Sequence, residues 1–391
     1  MKPVLIIGAG PVGLTAAACL ARAGIAVRLF ESSPAIATDL RASTFHPPTL
    51  DMLDEFEVGA ALVARGIITP RWQVRLHETH ERAEFDLGVL SGETRHPYRL
   101  QCEQQNLQQL LLERLAACSH AEVLWGCTVQ EAGEDADSAW LSAAGEIHQG
   151  CFLIGADGAH SLVRRCASIG FQGESYPETT LLVTTDFDFA QVLPGLSGVN
   201  YVWSEYGTFS LLRLPRVWRV SLYPDPDESP EQALSDEAIE LKLQRIAPRA
   251  VRYRILDRRS YRIHQRVADT YRRGRMLLAG DAAHLNSPSG GMGMNGGIHD
   301  AFNLADKLIR VCGGEDPALL DQYVRQRRTI AVEHIIAQAD RNRRRMRERD
   351  PARREHVLRD LQATAADATR ARAYLLESAM IAGLRRAAAI A

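Results

Sequence analysis

Lysine is almost missing from this chain of 391 residues. Lys2, Lys242 and Lys307 are its only lysines, so nearly all of its 46 basic residues are arginine. That bias is compositional and points to no ligand. No run of about 18 apolar residues occurs, which excludes a helical membrane span. The seven cysteines (Cys19, Cys102, Cys118, Cys127, Cys151, Cys166, Cys312) form no C-x-x-C or C-x4-C pair. A disulfide framework, a zinc site and a redox dithiol are therefore not expected. The N-terminus has no basic, then apolar, then small-residue leader, so a cytoplasmic protein is expected. Charge of one sign is lacking too: the formal net charge is -2. Nucleic acid is not an expected partner.

What is present is 46% hydrophobic residues, ordinary for one large domain or two intertwined ones. Val4 to Ile7 is a continuous apolar run, as in a strand buried on both faces of a parallel sheet. The turn Gly8-Ala9-Gly10-Pro11-Val12-Gly13 follows, then an alanine- and leucine-rich helix (Leu14 to Ala23) that Gly24 ends. Val27 to Phe30 reads as the second strand. A G-x-G-x-x-G turn in this setting lets backbone approach a pyrophosphate, with the positive end of a helix aimed at it. Glu31 ends the second strand, where a carboxylate accepts hydrogen bonds from both hydroxyls of an adenosine ribose. This motif alone does not separate FAD from NAD, and a tight turn without ligand is the bland alternative.

Two later segments read as further strand-to-loop junctions: Cys151 to Ile154 before Gly155, and Met276 to Ala279 before Gly280. Residues 70–100 and 180–265 alternate apolar and polar positions, as in Trp218-Arg219-Val220-Ser221-Leu222-Tyr223, and predict antiparallel strands of a second sheet. From about residue 298 the pattern is helical.

The first junction continues as Asp157-Gly158-Ala159-His160-Ser161-Leu162-Val163-Arg164. The second continues as Gly280-Asp281-Ala282-Ala283-His284 and leads into residues 288–297, Pro288-Ser289-Gly290-Gly291-Met292-Gly293-Met294-Asn295-Gly296-Gly297. With these three signatures in order, residues 1–330 resemble the single-component FAD-dependent aromatic hydroxylases, the p-hydroxybenzoate hydroxylase-like proteins. The resemblance implies an α/β fold: a Rossmann-like FAD-binding domain on a parallel sheet, discontinuous over 1–70, 101–180 and 266–330. A mostly antiparallel substrate domain would occupy 71–100 and 181–265, with C-terminal helices over 331–391. It implies FAD as cofactor, NAD(P)H as co-substrate bound transiently over a surface, and O2. A flavin C4a-hydroperoxide would then hydroxylate a small aromatic or heteroaromatic ring.

Residue roles come from the same resemblance. Gly8, Gly10, Pro11, Val12, Gly13 and Glu31 would hold the adenosine diphosphate half of FAD. Arg41 would contact the cofactor, Gln104 would lie against the ribitol region, and Gly280-Asp281 would bind a ribitol hydroxyl. Gly291, Gly293, Met294 and Asn295 would bring backbone and a helix start to the pyrophosphate and pyrimidine ring. Asp157 and Arg164 would tie the domain together and help receive NAD(P)H, or Asp157 would simply cap a turn. His284 is expected to be structural.

Oxygen transfer to a ring requires water to be kept out, so Trp203, Phe209, Leu211, Trp218 and Tyr223 are candidates for a roof over the flavin. Arg213 and Arg219 could clasp a substrate carboxylate or face solvent. Tyr201 and Tyr223 could polarise a phenol or be structural, and His46 and Pro288 could lie near the ring. In the C-terminal part, Tyr323 to Arg328 resembles the family's Y-x-x-x-R-R helix. The arginines of residues 341–354 read as a solvated helix face, and the alanine-rich end as packing on the core or on a second subunit, in a monomer or homodimer. The same fold hosts halogenases and prenyl-chain reductases; no W-x-W-x-I-P segment is present, and no lysine lies in residues 3–241. A flavin-binding sensor without turnover is the alternative from another class.

Overall fold

A computed structural model describes residues 2–38, 42–225 and 227–391. Among these, the strands form four sheets. The strand Val4–Ile7 is buried along its whole length and lies at the centre of a six-stranded sheet. It pairs in parallel with Val27–Phe30 on one side and Phe152–Gly155 on the other, and Met276–Leu278 extends the parallel set. Both faces of this sheet are covered, which is why Val4 to Ile7 shows no alternation.

The first helix runs Pro11–Arg22, starting three residues before the expected Leu14 because Pro11 takes the first helical position, where its missing N–H costs nothing. It packs against the long helix Met292–Cys312. Gly297 permits this: a Cβ there would lie 2.6 Å from Val12 Cγ2 and 3.0 Å from Gly280 Cα.

The largest sheet has eight strands, including Arg71–Leu76, Phe171–Thr185, Val199–Ser204, Gly207–Arg213, Trp218–Leu222 and Ile255–Ala268. Its pairs are antiparallel except for Arg71–Leu76 beside Val199–Ser204, which run parallel. Phe171 and Ala268, at the ends of its two longest strands, pack in the core of the parallel sheet. The chain thus passes between the sheets inside continuous strands.

Period two sorts this sheet into two faces. Phe209, Leu211, Trp218, Val220 and Leu222 pack against Ile239, Leu243 and Ile246 of the helix Asp236–Ile246. The opposite face carries Tyr201, Trp203, Ser210, Arg219 and Ser221, and Arg219 reaches across to Ser43 in the loop after the second parallel strand (Nη1 to Oγ, 2.9 Å). That face is turned toward the parallel sheet.

The chain ends in helices Pro351–Ala366, Ala368–Ser378 and Ile381–Ala388. Leu358, Leu361 and Leu375 join Trp72, Phe85 and Trp203 in one buried cluster. Tyr374 stacks on Phe85 with 4.6 Å between ring centres. The alanine-rich end therefore packs on its own chain. No helix of the described residues is long and apolar enough to cross a membrane.

Candidate active site

Two glycines of the turn Gly8–Gly13 admit no side chain. Gly8 has φ 104°, and a Cβ on it would lie 2.4 Å from the Ala156 carbonyl oxygen; one on Gly13 would lie 1.9 Å from the Gly8 carbonyl oxygen. Gly10 differs, because nothing lies within 4 Å of its missing Cβ. It is the open edge of the turn. The helix that follows has no side-chain cap and no acidic residue in its first turn, so its positive end is uncompensated. Val12 is turned away and packs under Gly280 and Gly297.

Glu31 is already engaged. Its Oε2 accepts from the Ala9 N–H at 2.8 Å and its Oε1 from the Ser33 N–H at 2.9 Å. A carboxylate has about four lone-pair sites, so capacity for ribose hydroxyls remains. Gln104 opens the helix Gln104–Ala116 and accepts from the Ala42 N–H at 3.4 Å. The helix's link to the glycine turn is Gln108, which donates to the Ala9 carbonyl at 2.9 Å. Arg41 lies outside the described residues.

Asp281 is exposed, although Gly280 (φ 64°), Ala282 and Ala283 around it are buried. One buried group fixes this turn from behind: Asp300. Its Oδ2 accepts from the Gly280 N–H at 3.1 Å and from His284 Nε2 at 2.8 Å, and its Oδ1 accepts from Arg327 Nε at 2.6 Å. Burial raises the Asp300 carboxyl, but Arg327 and His284 outweigh it and hold the group down at about 2. It is an anion at any working pH. His284 donates to that anion, the structural role expected of it.

Asp157 and Arg164 stay inside the fold. Asp157 Oδ2 accepts from the Leu162 and Val163 N–H groups at 2.6 and 3.2 Å, the capping alternative. Arg164 donates to the carbonyls of Ala282 and Ala159 and lies 3.8 Å over the Phe171 ring.

The glycine-rich loop reaches its helix through Gly290 (φ 101°) and Gly291 (φ 68°). The helix begins at Met292 rather than near Asn295. Its first-turn N–H groups, at Met292, Gly293 and Met294, have no carbonyl one turn back within it. The Asn295 side chain is not available to a cofactor: Nδ2 donates to the carbonyls of Thr44 and Gly291, and Oδ1 accepts from the His46 N–H. It is a clasp between loop and strand. His46 is wholly buried, with Nε2 2.9 Å from the Gly290 carbonyl. Burial, with Arg99 nearby, pushes it down to about 3, so the imidazole is neutral, Nε2–H donates and Nδ1 is an acceptor.

The weaker pocket candidates divide. Arg213 is exposed at the end of its strand and clasps nothing in the interior, because its position falls beyond the covered part of the sheet. Phe209, Leu211 and Trp218 are on the far face, packed under the helix Asp236–Ile246, and not on the face turned toward the parallel sheet. Trp203 is buried on the near face, with Nε1 donating to the Arg345 carbonyl at 3.1 Å. Tyr201 is half-buried and edge-on to Trp72 at 6.0 Å. Burial pushes the Tyr223 phenol up to about 12, so it stays protonated. Pro288 is exposed, and its carbonyl accepts from the Gly291 N–H.

Residues 1–338 match the family model described as an FAD binding domain. Over 367 residues the chain is 33% identical to the para-nitrophenol 4-monooxygenase of Pseudomonas sp. strain WBC-3, covering 90% of this chain and 89% of the relative. The chain belongs to the FAD-dependent aromatic hydroxylases. It is also 34% identical to the 6-hydroxy-3-succinoylpyridine 3-monooxygenase of Pseudomonas putida strain S16, over 89% of this chain and 90% of that one. The crystal structure of p-nitrophenol 4-monooxygenase from Pseudomonas putida DLL-E4 superposes with TM-score 0.91 at 31% identity, covering 99% and 98% of the two chains.

For a hydroxylase, the residues above suit FAD: an open glycine, an uncapped helix end, and an acid presented from a buried turn. Four contributors carry no sequence signature. Asp300, Gln108 and Arg99 sit in ordinary helix and strand patterns, and Tyr374 lies in a helix outside the matched region. Arg345 stood among arginines expected to be solvated. Instead its Nη1 donates to Tyr374 and its Nη2 to Asn342, while Arg343 lies 3.7 Å over the Tyr176 ring.

Proposed function

We propose that this FAD-dependent monooxygenase hydroxylates a small phenolic or heteroaromatic ring held between the glycine-rich loop and the near face of the eight-stranded sheet, with NAD(P)H as reductant. The observation that carries the reading is the meeting of three elements at one place. His46 Nε2 bonds the Gly290 carbonyl of the glycine-rich loop, and Arg219 on the near face of the eight-stranded sheet bonds Ser43, three residues before His46, so loop, strand end and sheet meet there. We assign the substrate domain to that sheet and FAD binding to Gly8, Gly10, Gly13, Glu31, Gly280, Asp281 and the 291–294 backbone.

Bound FAD supplies the chemistry, the activation of O2 for transfer of one oxygen atom to the ring. The chain positions and encloses. The uncapped ends of the helices Pro11–Arg22 and Met292–Cys312 receive negative charge on the cofactor. Neutral His46 offers Nδ1 to a hydroxyl hydrogen. The C-terminal helices, through Tyr374 and Leu375, close the far side against water.

The test uses purified protein with FAD. Phenols, aromatic acids and hydroxypyridines are screened for stimulated NADH or NADPH oxidation, with product followed by mass spectrometry. A ring that stimulates oxidation and gains one oxygen supports the reading. FAD binding without any stimulation, over a broad panel, would favour a reductase or sensor role.

A further inference from the structure

Among the described residues the buried Arg99 guanidinium has no counter-ion. Its strand, Arg99–Gln101, runs antiparallel to Thr44–Phe45 and to Ile67–Thr69. Phe45 and Leu100, directly opposed, both point into the core of the parallel sheet. Period two then puts Thr44, His46, Arg99 and Gln101 on the other face, the one His46 joins to Gly290. Arg99 is only 3% exposed, and its Nε and Nη1 have no hydrogen-bond partner. Gln101 Nε2 beside it and Trp72 Nε1 also lack acceptors. The Arg99 guanidinium lies 5.0 Å over the Trp72 ring, and the other groups facing it electrostatically are Tyr201, Tyr374 and Arg345. None is a carboxylate.

A buried cation among unmatched donors is costly unless an acceptor arrives, since desolvation is repaid only by an opposite charge with good geometry. The ring attraction of Trp72 offsets part of that cost. Arg345 adds a second positive charge with its own Nε unpartnered. Among the described residues only neutral groups, the Tyr201 hydroxyl and the Trp72 ring, engage this potential, and it lies beside His46, which joins the glycine-rich loop at Gly290.

We propose that Arg99 anchors the aromatic substrate through an anionic oxygen on the ring, a phenolate or a carboxylate, so that the enzyme selects anionic over neutral aromatics. The proposal rests on the hydroxylase site placed above. An ionised phenol is also the more electron-rich ring, which suits transfer of an electrophilic oxygen. A guanidinium holds either group in a planar fork.

The test measures binding to the FAD-loaded full chain by flavin absorbance, with 4-nitrophenol, benzoate and 4-nitroanisole as probes. At least one anion is expected to bind more tightly than neutral 4-nitroanisole by roughly 10- to 100-fold, the worth of a charged hydrogen bond. Preference for 4-nitrophenolate identifies a phenolate site, and preference for benzoate a carboxylate site. Arg99→Met should abolish the preference and Arg99→Lys should keep part of it, both with parental FAD content. If Arg99→Met does not fold, the parent protein and Arg99→Lys decide: a preferred phenol must titrate on the enzyme about one pH unit or more below its free value, and a preferred carboxylate must lose part, not all, of its advantage in Arg99→Lys. Equal binding of neutral and anionic probes, or an anion preference that survives in Arg99→Met, overturns the proposal. Oxygenation of neutral rings without anion preference would overturn the anchor alone, whereas Arg99-dependent anion binding without oxygenation would overturn the hydroxylase reading alone.

Discussion

Replacing Asp300 by Asn should unseat the Asp281 turn, although residue 300 is fully buried and touches no cofactor surface. The carboxylate serves Gly280, His284 and Arg327 at 3.1, 2.8 and 2.6 Å. Asparagine's single oxygen can still accept from Gly280 and His284, but its NH2 group then faces the Arg327 donor. Arg327, 1% exposed, would keep only its bond to the Gly296 carbonyl and lose its sole ion pair among the described residues. Breaking a buried pair by removing one partner costs about 3–5 kcal/mol. With an unfolding entropy of about 2.1 cal/mol/K per residue, a chain of 391 residues loses about 1.2 °C for each kcal/mol, so Tm should fall by roughly 4–6 °C. Calorimetry gives the shift, and flavin absorbance after desalting gives FAD retention, which should drop because Asp281 hangs from the same turn. Adding Arg327→Met should recover part of the loss, since no unpaired charge then remains. An Asp300→Asn protein with parental Tm and parental FAD content would refute this account of the turn.

Acid should weaken the fold through His46 and His299, both fully buried and both pushed down to about 3, chiefly by burial. Unfolded histidine titrates near 6.5, so the unfolded chain takes up protons first. Stability is therefore complete above about pH 6.5 and falls below it by up to 1.4 kcal/mol per pH unit for each histidine; Tm scans from about pH 7.5 down to 5 would show it, and a flat Tm would contradict it. Gly13→Ala should abolish FAD binding or folding, because the new Cβ meets the Gly8 carbonyl oxygen at 1.9 Å; a yellow, soluble variant would refute the close packing. Asp281→Ala should leave a folded protein that loses FAD on desalting, and full retention would remove Asp281 from the site. Deleting residues 351–391 should expose Trp72, Phe85 and Trp203 and give insoluble protein, whereas a soluble truncated chain of parental Tm would show that these helices do not seal the core.

The parallel sheet and the cofactor turns could be read from the chain because their signals are local. Val4 to Ile7 is apolar throughout for burial on two faces, and Gly8, Gly13 and Gly280 answer backbone constraints that act within a few residues. The substrate side was harder, for a physical reason. In the eight-stranded sheet the apolar set, Phe209, Leu211, Trp218 and Val220, packs under a helix, while the face turned toward the parallel sheet mixes Tyr201 and Trp203 with Ser210, Arg219 and Ser221. Three of the expected roof residues, Phe209, Leu211 and Trp218, therefore fall on the helix-covered face. Arg213 was misplaced similarly, since alternation gives the face but not where the cover ends. Asp300 and Arg99 lie far in sequence from what they hold. Only tertiary pairing, Asp300 with Arg327 or Thr44 with Gln101, reveals their surroundings.

The most direct measurement supplies isotopically labelled dioxygen to the FAD-loaded protein with NAD(P)H and a ring that stimulates turnover, and weighs the product. One labelled oxygen atom is expected in the ring for each nicotinamide oxidised. An unlabelled product, or nicotinamide oxidation that yields only hydrogen peroxide with every ring tested, would contradict it.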